Sequence, residues 1–136
     1  MVSMQREIKF RGKRLDNGEW VYGYLCEDMN GDFSIQQIVH KVENGWAIPH
    51  RIFSVAPDTV GQYTGLKDKN GREIYEGDVV CLGDIKRRTG VIERSDTKPG
   101  FVLEVNDTAF DLYYRNQHRY EVIGNIHDNP ELIKPE

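Results

Sequence analysis

Apolar and polar residues alternate with a period of two along most of this chain, in short runs cut by turn residues. Asn-Gly occurs four times, at Asn17-Gly18, Asn30-Gly31, Asn44-Gly45 and Asn70-Gly71, and between alternating runs it is the strongest local hairpin signal. The first three pairs predict a four-stranded antiparallel meander with strands at residues 6–15, 19–27, 32–40 and 46–53. In the second strand Trp20, Tyr22, Tyr24 and Cys26 alternate with Val21, Gly23 and Leu25, giving one aromatic and one small aliphatic face, both suited to being covered. Pro49 cannot donate to a sheet ladder, so the fourth strand belongs at an edge or is broken there. Ala56-Pro57-Asp58 closes this half with a turn.

Residues 59–80 join the two halves. Asn70-Gly71 suits a type I′ turn that folds Gly65-Leu66 back towards Ile74-Tyr75, and Glu76-Gly77-Asp78 makes a second reversal. Val79-Val80-Cys81-Leu82 reads as a buried strand. Further strands follow at residues 89–94, 101–105, 108–114 and 119–126, separated by polar or turn-rich segments that include Asn106-Asp107 and Arg115-Asn116-Gln117. This is the spacing of a small barrel or sandwich. Asn129-Pro130-Glu131 is the single helix-start signal and leaves room for barely one turn. The chain is therefore mainly β, with almost no helix: one domain over residues 1–136, with a hairpin meander at about 5–58 and an SH3-like or irregular small β-barrel at about 59–133.

A chain of 136 residues needs no staples to hold one core. Cys26 and Cys81 lie far apart without CxxC spacing, which argues against a zinc site and a disulfide scaffold. The net charge of -4, from 22 acids and 18 bases, gives no general attraction to nucleic acid or anionic membranes. Residues 1–7 lack the apolar core of a signal peptide, and no apolar run approaches the roughly 20 residues that span a bilayer. The cytoplasm is the expected location, with no membrane partner.

Candidate chemistry is sparse. His127-Asp128 resembles a metal-ligand pair, but the other histidines show no ligand spacing, and loop capping by Asp128 and Asn129 is the preferred reading. Asp68-Lys69-Asn70-Gly71 has its glycine too early for a calcium loop. Glu73, Glu76 and Asp78 lie close enough to act as an acid and base pair, although acids in tight turns usually accept backbone N–H bonds. No nucleophile elbow or phosphate-binding loop is present, so no catalytic, metal or cofactor residue is assigned. Basic residues form three groups: Lys9, Arg11 and Lys13 on one face of the first strand, Arg87 and Arg88 beside Lys86, and Arg115 and Arg119 with His118 beside Tyr113 and Tyr114. Basic side chains interleaved with aromatics on a β surface suit single-stranded nucleic acid. The excess of acids favours a solvated face instead. Trp20, Tyr22, Tyr24, Trp46, Tyr63 and Tyr75 are read mostly as core, with a few as interface anchors.

Three blocks carry a family resemblance: Ile8 to Lys13 with Trp20 to Gly23, Val60 to Asp68 with Gly71 and Ile74 to Val80, and Tyr120 to Leu132. Together, over residues 5–133, they resemble the YopX family of small proteins encoded by phages and prophages. That resemblance implies a mainly β fold and self-association, and carries no activity, cofactor or catalytic residue. The segments at 29–57 and 84–114 match none of these blocks, which makes them candidates for partner specificity. The expected function is a non-enzymatic phage or prophage accessory protein that binds protein, either copies of itself as a homo-oligomer or a host or phage protein. The alternatives are a weak nucleic-acid binder using the basic clusters, and a small hydrolase built on Glu73, Glu76, Asp78 and His127.

Overall fold

The structure, a computed structural model, describes residues 7–38, 42–43, 46–47, 50–83 and 88–133. The fold is mainly β, and among the described residues helix is confined to short 3-10 turns. The chain divides into two compact units, residues 1–62 and 63–136.

The N-terminal unit contains β1 (Phe10–Lys13), β2 (Trp20–Glu27), β3 (Phe33–Ile38), β4 (Val42–Glu43), β5 (Trp46–Ala47), β6 (His50–Ser54) and the start of β7 (Gly61–Lys67). Its antiparallel sheet runs β6-β3-β2-β1, and Phe10 and Arg11 pair onward with Gln62 and Gly61 of β7. The expected meander order is present, with one correction. The third Asn-Gly pair, itself outside the described residues, joins β4 and β5 into a separate two-stranded ribbon, so the fourth strand of the sheet begins at His50 rather than Trp46. That strand is the sheet edge, as Pro49 requires of its neighbourhood, although Pro49 lies outside the described residues. A 3-10 turn at Pro57–Thr59 follows. There the Thr59 hydroxyl donates to the Ala56 carbonyl and accepts from the Lys13 amide.

One face of this sheet holds the core. Val21, Ile35 and Val55 are buried, with Phe10, Leu25, Phe33, Phe53 and Val60 packed around them. The small aliphatic side of β2 is thus the inner one.

The C-terminal unit contains the rest of β7, then β8 (Glu73–Tyr75), β9 (Asp78–Leu82), β10 (Arg88–Arg94), β11 (Phe101–Val105), β12 (Thr108–Asp111) and β13 (Tyr120–Asn125). Five of them form an antiparallel sheet in the order β12-β11-β10-β9-β13, an open, non-closed barrel. Four of the five β9 residues are buried because β9 lies between β10 and β13, which is why its sequence is nearly all apolar. Ile74, Val80, Ile92, Leu103, Val105, Tyr120 and Val122 form the core. Each fully buried aliphatic side chain there contributes about 1.5–3 kcal/mol. The strand expected at 108–114 stops at Asp111; residues Tyr114–Arg119 instead wind into a 3-10 helix that returns the chain to β13.

The turn at Asn70-Gly71 differs in type from the expectation. At Asp68-Lys69-Asn70-Gly71-Arg72 the Gly71 amide donates to the Asp68 carbonyl, the Asp68 amide donates to the Arg72 carbonyl, and only Gly71 has positive φ, at 82°. This is a type I-like turn closed by a left-handed glycine, not a type I′ turn. The same bonds recur at Asp28-Met29-Asn30-Gly31-Asp32, with Gly31 also at 82°. In both, the leading aspartate caps the loop: Oδ1 of Asp28 accepts from the Asn30 and Asp32 amides, and Oδ1 of Asp68 from the Asn70 and Arg72 amides. Two consecutive positive φ values occur instead at Asn106 and Asp107, 48° and 66°, which join β11 to β12 through the Val105/Thr108 pair.

Candidate interaction surfaces

Direct cross-strand partners share a face of a sheet. On the outer face of the N-terminal sheet, Arg11 stands opposite Tyr22, Lys13 opposite Trp20, Tyr24 opposite Gln36, and Gln36 opposite Ile52. Tyr22, Tyr24 and Ile52 are 43%, 54% and 57% exposed. Tyr22 and Tyr24 are therefore not core, which corrects the sequence reading and leaves the aromatic face of β2 uncovered. Of the other aromatics, Tyr63 and Tyr75 are buried with ring centroids 5.4 Å apart.

The first basic group borders this face but is largely engaged. The Arg11 guanidinium lies 4.6 Å from the Trp20 ring centroid and the residue is only 5% exposed. Lys13 Nζ is 5.5 Å from the same ring, and Lys9 is 3.3 Å from Glu7. These contacts are cation–π and surface ion pairs of modest strength, and they hold Trp20 against β1.

The other two groups belong to the C-terminal unit, and the fold brings them to one end of its sheet. Arg88 pairs with Leu82 on one side of β9, Tyr120 pairs with Leu82 on the other, and the Gly83 amide donates to the Arg119 carbonyl. Arg88, Arg115, His118 and Arg119 are exposed, as are Tyr113 and Tyr114. Arg87 lies outside the described residues.

The candidate acids are structural in their contacts. Asp78 is 1% exposed and accepts from the Tyr75 amide at 2.7 Å; Glu73 accepts from the Tyr75 hydroxyl at 3.0 Å. The turn bearing Glu76 abuts that bearing His127, since the Ile126 amide donates to the Gly77 carbonyl. His127-Asp128 itself forms a self-bonded turn: Asn125 Oδ1 accepts from both amides, Asp128 Oδ2 accepts from Asn125 Nδ2, and Asn129 Oδ1 accepts from the Asn125 amide. The loop-capping reading of Asp128 and Asn129 describes these bonds. Among the described residues, no group of three or more His, Cys, Asp and Glu is placed to hold a metal ion.

The sequence did not show the part played by two residues. Ile52 joins the exposed tyrosine face only because β6 pairs with β3 in this register, which no local pattern reveals. Asp68, 5% exposed, uses its second oxygen to accept from the Val122 amide at 2.9 Å, fastening its turn to β13. Glu93 has a raised titration: the hydrogen bond to Glu104, then burial and the nearby charges of Glu104, Asp96 and Glu76, push it up to about 7.

Residues 9–134 match the family described as YopX protein. The chain belongs to the YopX family. This YopX-family chain is also similar to a solved structure, the crystal structure of protein EF1440 from Enterococcus faecalis. The two are 28% identical, with a TM-score of 0.58, over 96% of this chain and 100% of that one. No curated protein matches the chain. Among the described residues, no helix is long and apolar enough to cross a membrane.

Proposed function

We propose that this YopX-family chain is a non-catalytic phage or prophage accessory protein that works in the bacterial cytoplasm by self-association through its N-terminal sheet. The observation that carries the reading is the exposure of Tyr22, Tyr24 and Ile52 on one face of that sheet while the opposite face is filled. One wet face is ordinary for an antiparallel sheet, but that face is normally polar, and aromatics dominate the residues that anchor interfaces. A second feature points to another copy as the occupant. β6 ends the sheet and carries Ile52 on the tyrosine face, and an open edge is a template for a further strand. Two copies meeting there would cover the edge and the exposed tyrosines together, with the same patch on both subunits.

Size-exclusion chromatography with light scattering over a concentration series tests this. A mass that is a multiple of 15.8 kDa and persists at moderate salt supports self-association. A monomer at all concentrations refutes it. Recovery of a specific phage or host protein on the tagged chain, lost on Tyr22→Asp, would then assign the same face to a different protein.

A further inference from the structure

We propose that the end of the C-terminal sheet where β9 stops binds single-stranded nucleic acid, a site separate from the tyrosine face of the N-terminal unit. Arg88 and Tyr120 flank Leu82 on adjacent strands, so their Cα atoms stand about 10 Å apart, two strand spacings. Arg119 precedes Tyr120 directly. Arg115 and His118 are three residues apart in the 3-10 helix, where side chains at that spacing lie one above the other. Arg88 and Arg119, distant in sequence, are thereby brought to the same end of the sheet. None of Arg88, Arg115 and Arg119 forms an ion pair among the described residues. By contrast Lys69 pairs with Glu121 at 3.4 Å and Lys98 with Asp111 at 2.5 Å in the same unit.

Charge alone would suit any anion. Tyr114, 63% exposed and adjacent to Arg115, narrows the class, with Tyr113 beside it at 54%. The Tyr113 hydroxyl is 3.4 Å from Asp111, which leaves Tyr114 as the stacking surface. Exposed rings next to exposed cations suit bases that are themselves free to stack. A duplex hides those base faces, and an acidic peptide has none to offer.

The test is fluorescence anisotropy with labelled oligo-dT, its RNA counterpart and a mixed-sequence duplex, across a salt series on the full chain. Binding should be tighter to the single strands, with log affinity falling by about 0.7 per log salt for each phosphate contact. The Arg88→Ala, Arg115→Ala, Arg119→Ala triple variant should reduce that slope by about 2. Tyr114→Ala should weaken binding about tenfold, Tyr114→Phe should restore it, and Lys98→Ala should change neither. The tested positions are exposed, and far-UV circular dichroism confirms that each variant is folded. No binding at low salt, an unaltered slope in the triple variant, or displacement by polyglutamate as effectively as by unlabelled oligo-dT would overturn the proposal. Because the tyrosine face plays no part in this test, its failure leaves self-association untouched.

Discussion

Asp28 and Asp68 head two turns with the same local bonds, and they differ in one contact that sets their worth apart. Both cap two amides through Oδ1. Asp68 alone also accepts from a distant strand, at the Val122 amide, and Val122 is 7% exposed. Replacing Asp28 by alanine removes two bonds at an exposed loop, where water takes over, and costs about 0.5–1 kcal/mol. Asp68→Ala loses the same two bonds and strands a buried amide, which adds about 1–3 kcal/mol. The expected difference between the two variants is thus about 2 kcal/mol. Urea unfolding followed by far-UV circular dichroism measures it as a lower midpoint at unchanged slope. Hydrogen exchange gives a local check, since the Val122 amide should lose protection in Asp68→Ala and not in Asp28→Ala. Asp68→Asn should fall between, because its amide nitrogen must face a donor. Equal destabilisation of the two alanine variants, within about 0.5 kcal/mol, would refute the claim that the cross-strand bond, rather than the turn, makes Asp68 important.

Three further outcomes follow from the geometry. A Cβ at Gly124 would sit 2.5 Å from Asn129 Oδ1, the oxygen that caps Asn125, so Gly124→Ala should cost about 1–3 kcal/mol, read by thermal denaturation. Asp107→Gly should stabilise by about 0.5–1 kcal/mol, because the left-handed backbone at 66° favours glycine; a lower midpoint would show that the Asp107 side chain matters more than its φ. Glu93 is held neutral to about 7 in the fold, so the folded state binds the extra proton, and this stabilisation is complete below the ordinary carboxyl range and lost as pH rises through about 7. Glu93 is exposed, so screening limits the span to about 1 kcal/mol. Glu93→Gln should therefore gain on wild type in urea midpoint between pH 5 and pH 8; parallel curves would contradict the repulsion with Glu104.

Local pattern made the elements legible because a period of two and turn residues act over a few positions. The Asn-Gly pairs marked the turns at 30–31 and 70–71 correctly, but the type I′ geometry expected at 70–71 gives way to one fixed by the aspartate two residues earlier accepting the loop amides. Asn106-Asp107, the turn with two positive φ values, lacks glycine and read only as a polar separator. The alternation in β2 gave two faces without showing which was covered. Val21, Gly23 and Leu25 are small, and only their contact with Ile35 and Phe53 identifies them as inner. The break in the fourth strand traces to the β4–β5 ribbon, inserted between β3 and β6. That Arg88 and Arg119 share a sheet end depends on β13 pairing with β9 rather than with its chain neighbour β12. That order is non-local, so three basic groups in the sequence could not be read as one engaged cluster and one shared end.

Sedimentation velocity of the wild type beside the Tyr22→Asp, Tyr24→Asp double variant tests self-association through the tyrosine face of the N-terminal sheet most directly. Both side chains are exposed, so the variant should remain folded by circular dichroism. Self-association through this face predicts a wild-type oligomer, a multiple of 15.8 kDa, that collapses to a single-chain mass in the variant. An oligomer of unchanged mass in the variant, or a wild type that sediments as one chain at every concentration, would contradict it.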